Sequence, residues 1–120
     1  MYYLLLTSII MLILDLIYLN ITKNHFNKEV MNIQGSNISL NIYGAIMTYL
    51  LMLIGLYYFI LKRKGSVLDG FILGIVIYGV FDGTTKALFN NWSWISVLID
   101  TLWGGILFAL TTYIIKKIRD

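Results

Sequence analysis

Three aspartates, Asp15, Asp82 and Asp100, each interrupt a long apolar run. An ionised carboxylate near the centre of a bilayer costs roughly 2.5–3.5 kcal/mol on insertion scales, so each requires compensation. Burial disfavours the charged form and a neighbouring ammonium favours it, a balance suited to taking up and releasing a proton or cation. Candidate partners lie within one helical turn. Lys86 follows Asp82 by four residues, in the favourable acid-then-base order. Tyr78 precedes Asp82 by four, while Tyr18 and Trp103 each follow an acid by three, giving every acid an aromatic donor nearby. Thr84 and Thr85 add hydroxyls that can also bond back to their own helix. Two readings stay open: a hydrogen-bonded plug that holds helices together, or a site for a proton, cation or small polar solute.

The elements that position these acids follow from length. A bilayer core of about 30 Å takes roughly 20 helical residues. Four stretches meet that requirement, at about 2–22, 40–61, 67–89 and 94–115. Transmembrane strands would show strict alternation over about ten residues, which is not seen. The first stretch has no basic n-region or small-x-small cleavage site, so it reads as a retained span and not a signal peptide. Measured from the span midpoints, all three acids lie about four residues toward the same face, roughly 6 Å from the midplane. Because the chain reverses direction between spans, this shared level predicts that the acids meet as one polar layer. Asp69, Glu29 and Asp120 stand near span edges, in a loop or at the terminus, and are set apart from it.

Composition agrees with a chain dissolved in lipid. Hydrophobic residues make up 59% of the 120 residues and charged ones 12%, about half the charge of an average soluble domain. The net charge of +3 does not point to nucleic acid, because the basic residues cluster at span ends: Lys62, Arg63 and Lys64, then Lys116, Lys117 and Arg119. That placement suits anionic headgroups. The opposite side carries Lys23, Lys28 and Lys86, so the positive-inside rule predicts both termini in the cytoplasm. The long connection from Lys23 to Ser39 is then an outer loop, with room for one interfacial helical turn around Phe26 and Val30. Trp92 and Trp94 read as interfacial anchors.

Small residues supply the packing. Gly70 and Gly74, then Gly79 and Gly83, form two Gly-x-x-x-Gly spacings, and Gly104 and Gly105 follow Trp103. No cysteine is present, which excludes disulfides and thiolate metal sites. His25, the only histidine, falls in the outer loop without metal-ligand spacing, so neither a metal nor another cofactor is expected.

The segments "LDLIYL", "YGVFDGTTKALFNNW" and "IDTLWGG" resemble the DUF2177 family of four-span integral membrane proteins. That family shows an Asp followed by Trp-Leu in span one, Tyr-Gly-x-Tyr-Asp-Leu-Thr-Asn in span three and Asp-x-x-Trp-Gly in span four. Asp15, Tyr78, Gly79, Asp82, Thr84, Trp92, Asp100, Trp103 and Gly104 occupy the matching places. Tyr18 departs from the family's Trp, Gly83 from Leu and Thr85 from Asn. Lys86 replaces an apolar residue, which raises a salt bridge to Asp82 as a way of neutralising it. The resemblance implies fold and membrane location and brings no activity with it.

The expected protein is therefore an all-α membrane protein, a single domain over 1–120 forming a four-helix transmembrane bundle. Its partners are the lipid bilayer and, as the assembly considered, further copies of itself. The leading functional expectation is binding or movement of a proton, cation or small polar solute through the Asp cluster. A lipid-binding or lipid-modifying protein, with Asp82 and Asp100 as acid and base and Lys86 on a headgroup, is the alternative. An assembly protein whose acids act as glue is the third.

Overall fold

The computed structural model describes residues 2–120. Four helices follow one another: α1 Tyr2–Gln34, α2 Ile42–Leu56, α3 Val67–Leu88 and α4 Trp94–Arg119. A π-helical turn, Tyr57–Leu61, extends α2. All four are long and apolar enough to cross a membrane. The outward surface is dominated by Leu, Ile, Val and Phe, while Asp82, Ser96, Thr111 and Thr112 are buried. This inversion of the water-soluble pattern is what a lipid solvent favours.

The starts of α2, α3 and α4 each have a local cause. Asn41 Oδ1 accepts from the backbone N–H groups of Tyr43 and Gly44 at the head of α2. Ser66 and Asp69 form a reciprocal capping box on α3, at 3.0 and 2.9 Å. Ser93 caps α4 through the Ser96 N–H. α1 ends at Gly35, whose φ of +75° supplies the left-handed turn typical of a helix C-terminus. At the opposite end of the bundle, Arg119 donates to the Leu61 carbonyl at 2.9 Å and Lys116 to the Gly65 carbonyl at 3.1 Å. These cations cap carbonyls at and just beyond the end of the second span, the Leu61 carbonyl also accepting from the Lys64 N–H.

The first helix corrects the expected outer loop. Lys23–Gln34, including His25 and Glu29, is a continuation of α1 and not a loop with one helical turn. At 33 residues α1 is about 50 Å long, well beyond the ~30 Å hydrocarbon core. Its apolar part ends near Thr22, and the remaining three turns are polar. Lys, Asn and Glu lower hydropathy without breaking a helix, and no Gly or Pro intervenes before Gly35.

α4 is the hub. α3 packs along it most closely, α1 lies on another side, and α2 rests against α1. The helices thus follow one another around an arc in the order α3, α4, α1, α2. The two ends of the arc meet sparingly, near Gly55 and Ile77. On the α3–α4 seam, a Cβ on Gly74 would strike the Gly104 backbone, and one on Gly104 would strike the Tyr78 ring. Gly70 lies against Thr112 in the same seam. Close backbone approach of this kind drives association in lipid. The second glycine spacing differs: Gly79 lies beside Thr101, but Gly83 faces open space and packs no helix. Met11, Met52, Leu56, Ile60, Leu61, Leu107, Phe108 and Ile115 form the apolar core.

Candidate functional site

The acids meet, through partners different from those their spacing suggests. Asp15 on α1 accepts from Trp103 Nε1 on α4 at 3.0 Å and from the Tyr49 hydroxyl on α2. Asp100 on α4 accepts from the Tyr18 hydroxyl on α1 at 3.0 Å. Tyr18 and Trp103 have exchanged acids relative to the same-helix pairing. Their rings stack with centroids 4.7 Å apart and planes within 4°, so the two crossed hydrogen bonds share one aromatic pair. An inward-pointing acid and an inward-pointing donor three residues away both face the neighbouring helix, where each finds the other's partner.

Asp82 is the exception. Its side chain is 0% exposed, and neither carboxyl oxygen has a hydrogen-bond partner among the described residues. Its polar neighbours are the Asp100 carboxyl and the Trp92 indole, both close by, although neither completes a hydrogen bond of normal geometry to it. Trp92 Nε1 is itself buried and unpartnered. The expected salt bridge is absent: Lys86 turns away, donating to the Asn90 carbonyl at 3.0 Å and lying over the Trp94 ring. Tyr78 does not bond Asp82 either, because its ring covers Gly104. Thr84 is exposed, away from the layer, and Thr85 bonds back to the Phe81 carbonyl. Trp94, 70% exposed, suits an interfacial anchor, whereas Trp92 is buried over the acids and stacks with Phe26.

A cavity of about 480 Å³ opens beside the pair. Thr48, Leu51 and Met52 of α2 form one wall, Ile77, Tyr78 and Phe81 of α3 the other, and Asp100 contributes a carboxylate. It lies where the arc of helices is open, and Leu51 and Phe81 are both more than half exposed at its edge.

A second polar cluster holds the raised end of α1. Buried Glu29 accepts from the Ser93 backbone N–H at 2.9 Å and from the hydroxyls of Ser93 and Ser96. The Ser96 hydroxyl is thereby used as a donor, so its oxygen accepts from Nε2 of His25 at 2.7 Å. Burial pushes the Glu29 carboxyl up, but the hydrogen bonds from Ser93 and Ser96, with His25 nearby, outweigh it and hold the acid below its ordinary value. Asn91 adds a bond to the Asn32 carbonyl at 3.0 Å. The cluster docks the α1 extension on the start of α4, above the acid layer.

Four helices apolar enough to cross a membrane thus enclose an internal acid layer. The family model described as "Predicted membrane protein (DUF2177)" matches residues 1–115. The chain belongs to the DUF2177 family. No curated protein and no solved structure matches it. The DUF2177 match includes all of Asp15, Asp82 and Asp100, together with their partners and the cavity.

Sequence reasoning does not find Tyr49, Glu29, Ser93 or Ser96. Tyr49 carries a usable signal, since it falls close to the middle of the second span and its hydroxyl extends toward the acid level. The Glu29 cluster carries none, because it depends on the helix continuing past the bilayer.

Proposed function

We propose that Asp82 and Asp100 form a proton- or cation-binding site within the membrane, and that Asp15 is the structural member of the layer. The observation that carries this reading is the contrast between Asp15 and Asp82. A carboxylate kept as glue acquires donors, as Asp15 does from Tyr49 and Trp103. Asp82 is more deeply buried and has none, although a lysine stands one turn away. Two neighbouring carboxyls in a low-dielectric interior do not both ionise without a counter-charge, so a proton or a cation makes up the difference.

The orientation belongs to the same proposal. Six basic residues gather at the ends shared by both termini and three at the other, which puts the termini in the cytoplasm and the acid layer toward the outer half. Infrared difference spectra of reconstituted protein test the site. A pH step should produce a protonated-carboxyl band that disappears in Asp82→Asn or Asp100→Asn and persists in Asp15→Asn. A parent without any such band, or a band surviving in both Asp82→Asn and Asp100→Asn, overturns the assignment.

A further inference from the structure

We infer that the cavity between α2 and α3 takes an amphipathic organic cation, an alkylamine or alkyl quaternary ammonium, sideways from the bilayer with its head at Asp100. The inference rests on Asp82 and Asp100 being a cation site and adds the class of cation and its route.

Four features of the cavity select this occupant. Its volume, about 480 Å³, falls inside the ~300–1,000 Å³ range of small-molecule sites. Leu51, Met52 and Ile77 make the walls apolar, which suits an alkyl chain and does not suit a hydrated metal ion. The one ionisable carboxyl lining it is Asp100, backed by unpartnered Asp82, and Lys86 is engaged elsewhere. Negative charge without a counter-ion favours a cationic head over an anionic one. Finally, Tyr78 and Phe81, one helical turn apart, bring two aromatic rings to the same wall. Aromatic faces attract substituted ammonium groups by cation–π interaction, and more strongly where water is excluded.

The route follows from the fold. The arc of helices is open between α2 and α3, and the residues at its edge, Leu51 and Phe81, lie on the lipid-facing surface. A ligand already dissolved in the bilayer reaches the carboxylate without crossing a water-exposed mouth. Its tail lies along the apolar walls and out into lipid while the head gains the counter-charge.

Quenching of tryptophan fluorescence reads this directly. Exposed Trp94 is removed by Trp94→Phe, leaving Trp92 and Trp103 beside the acid layer as reporters. The protein is placed in phosphatidylcholine nanodiscs and titrated with a bromine-labelled dodecylamine, and in parallel with the matching dodecanol at equal membrane density. The amine should quench saturably and at least about tenfold more effectively than the alcohol, the scale of a desolvated cation–π contact. That preference should vanish in Asp100→Asn. It should also vanish in Thr48→Phe/Leu51→Phe, which fills the opening at two exposed positions, while the pH-dependent carboxyl band remains. Equal quenching by amine and alcohol, or a preference that survives filling of the opening, overturns the inference. If the carboxyl band is intact in such a result, the organic cation or its lateral route has failed and the acid pair stands; if the band is missing too, the acid-pair reading falls with it.

Discussion

Replacing Asp15 by Asn should cost stability, whereas replacing Asp82 by Asn should not. Asp15 uses both carboxyl oxygens, one for the Trp103 indole and one for the Tyr49 hydroxyl. In Asp15→Asn the side-chain amide presents a single acceptor oxygen. Because an indole can only donate, that oxygen goes to Trp103, and the amide nitrogen then faces Tyr49, which has to reverse its hydroxyl. Intramembrane hydrogen bonds average about 0.6 kcal/mol and reach about 1.7, so Asp15→Asn should cost roughly 1 kcal/mol. Asp82 accepts no hydrogen bond of normal geometry, and Asn keeps an oxygen for the nearby Trp92 indole, so its substitution forfeits little. What it removes is a buried ionisable group whose charged form costs roughly 2.5–3.5 kcal/mol, so the change lies between neutral and a gain of that size. Equilibrium unfolding in mixed micelles of mild detergent and dodecyl sulfate, followed by circular dichroism, measures both. A loss for Asp82→Asn as large as that for Asp15→Asn would refute the division of the layer into a structural acid and a binding acid.

Other consequences are as direct. Gly74→Ala should destabilise by about 1–3 kcal/mol, since its Cβ meets the Gly104 backbone, whereas Gly83→Ala faces open space and should be neutral or stabilising by up to about 1 kcal/mol in the same unfolding assay. Lys86→Met should leave the carboxyl infrared band in place and change stability by less than about 0.5 kcal/mol, because Lys86 bonds a loop carbonyl and not Asp82. The Glu29 carboxyl is held below its ordinary value of 4.5 in the folded chain, so it stabilises fully above about that pH and progressively less as the pH falls through the folded value. The parent should therefore lose more stability than Glu29→Gln between pH 5 and pH 3 in micelle unfolding, and parallel pH profiles would count against the docking role.

The depth of the acids is legible because a helix rises a fixed distance per residue and successive spans run in opposite directions. That arithmetic places Asp15, Asp82 and Asp100 at one level without any knowledge of how the helices turn. It does not give azimuth, which is why same-helix spacing pairs Tyr18 and Trp103 with the wrong acids and Lys86 with Asp82. A side chain one turn away shares a helix face with the acid, yet the neighbouring helix decides which polar tip it meets. Gly70 and Gly74 are readable as packing residues because lipid leaves close backbone contact as the main source of association. Gly83 has the same spacing and no helix opposite. The extension of α1 is hidden by hydropathy: Lys23–Gln34 is polar enough to leave the bilayer and helical enough to continue, and its hold on Ser93 and Ser96 is tertiary. Trp92 reads as interfacial from its position next to a loop, but that extension covers it through Phe26 and so buries it.

Competition between a proton and a cation at one site is measured most directly by proton release. Purified protein in weakly buffered micelles with a pH-sensitive dye is mixed in turn with sodium, potassium and tetramethylammonium chloride. At least one of these should release about one proton per chain, and the release should vanish in both Asp82→Asn and Asp100→Asn while remaining in Asp15→Asn. Absence of release with every cation, or release that persists in both Asp82→Asn and Asp100→Asn, would contradict a shared proton and cation site.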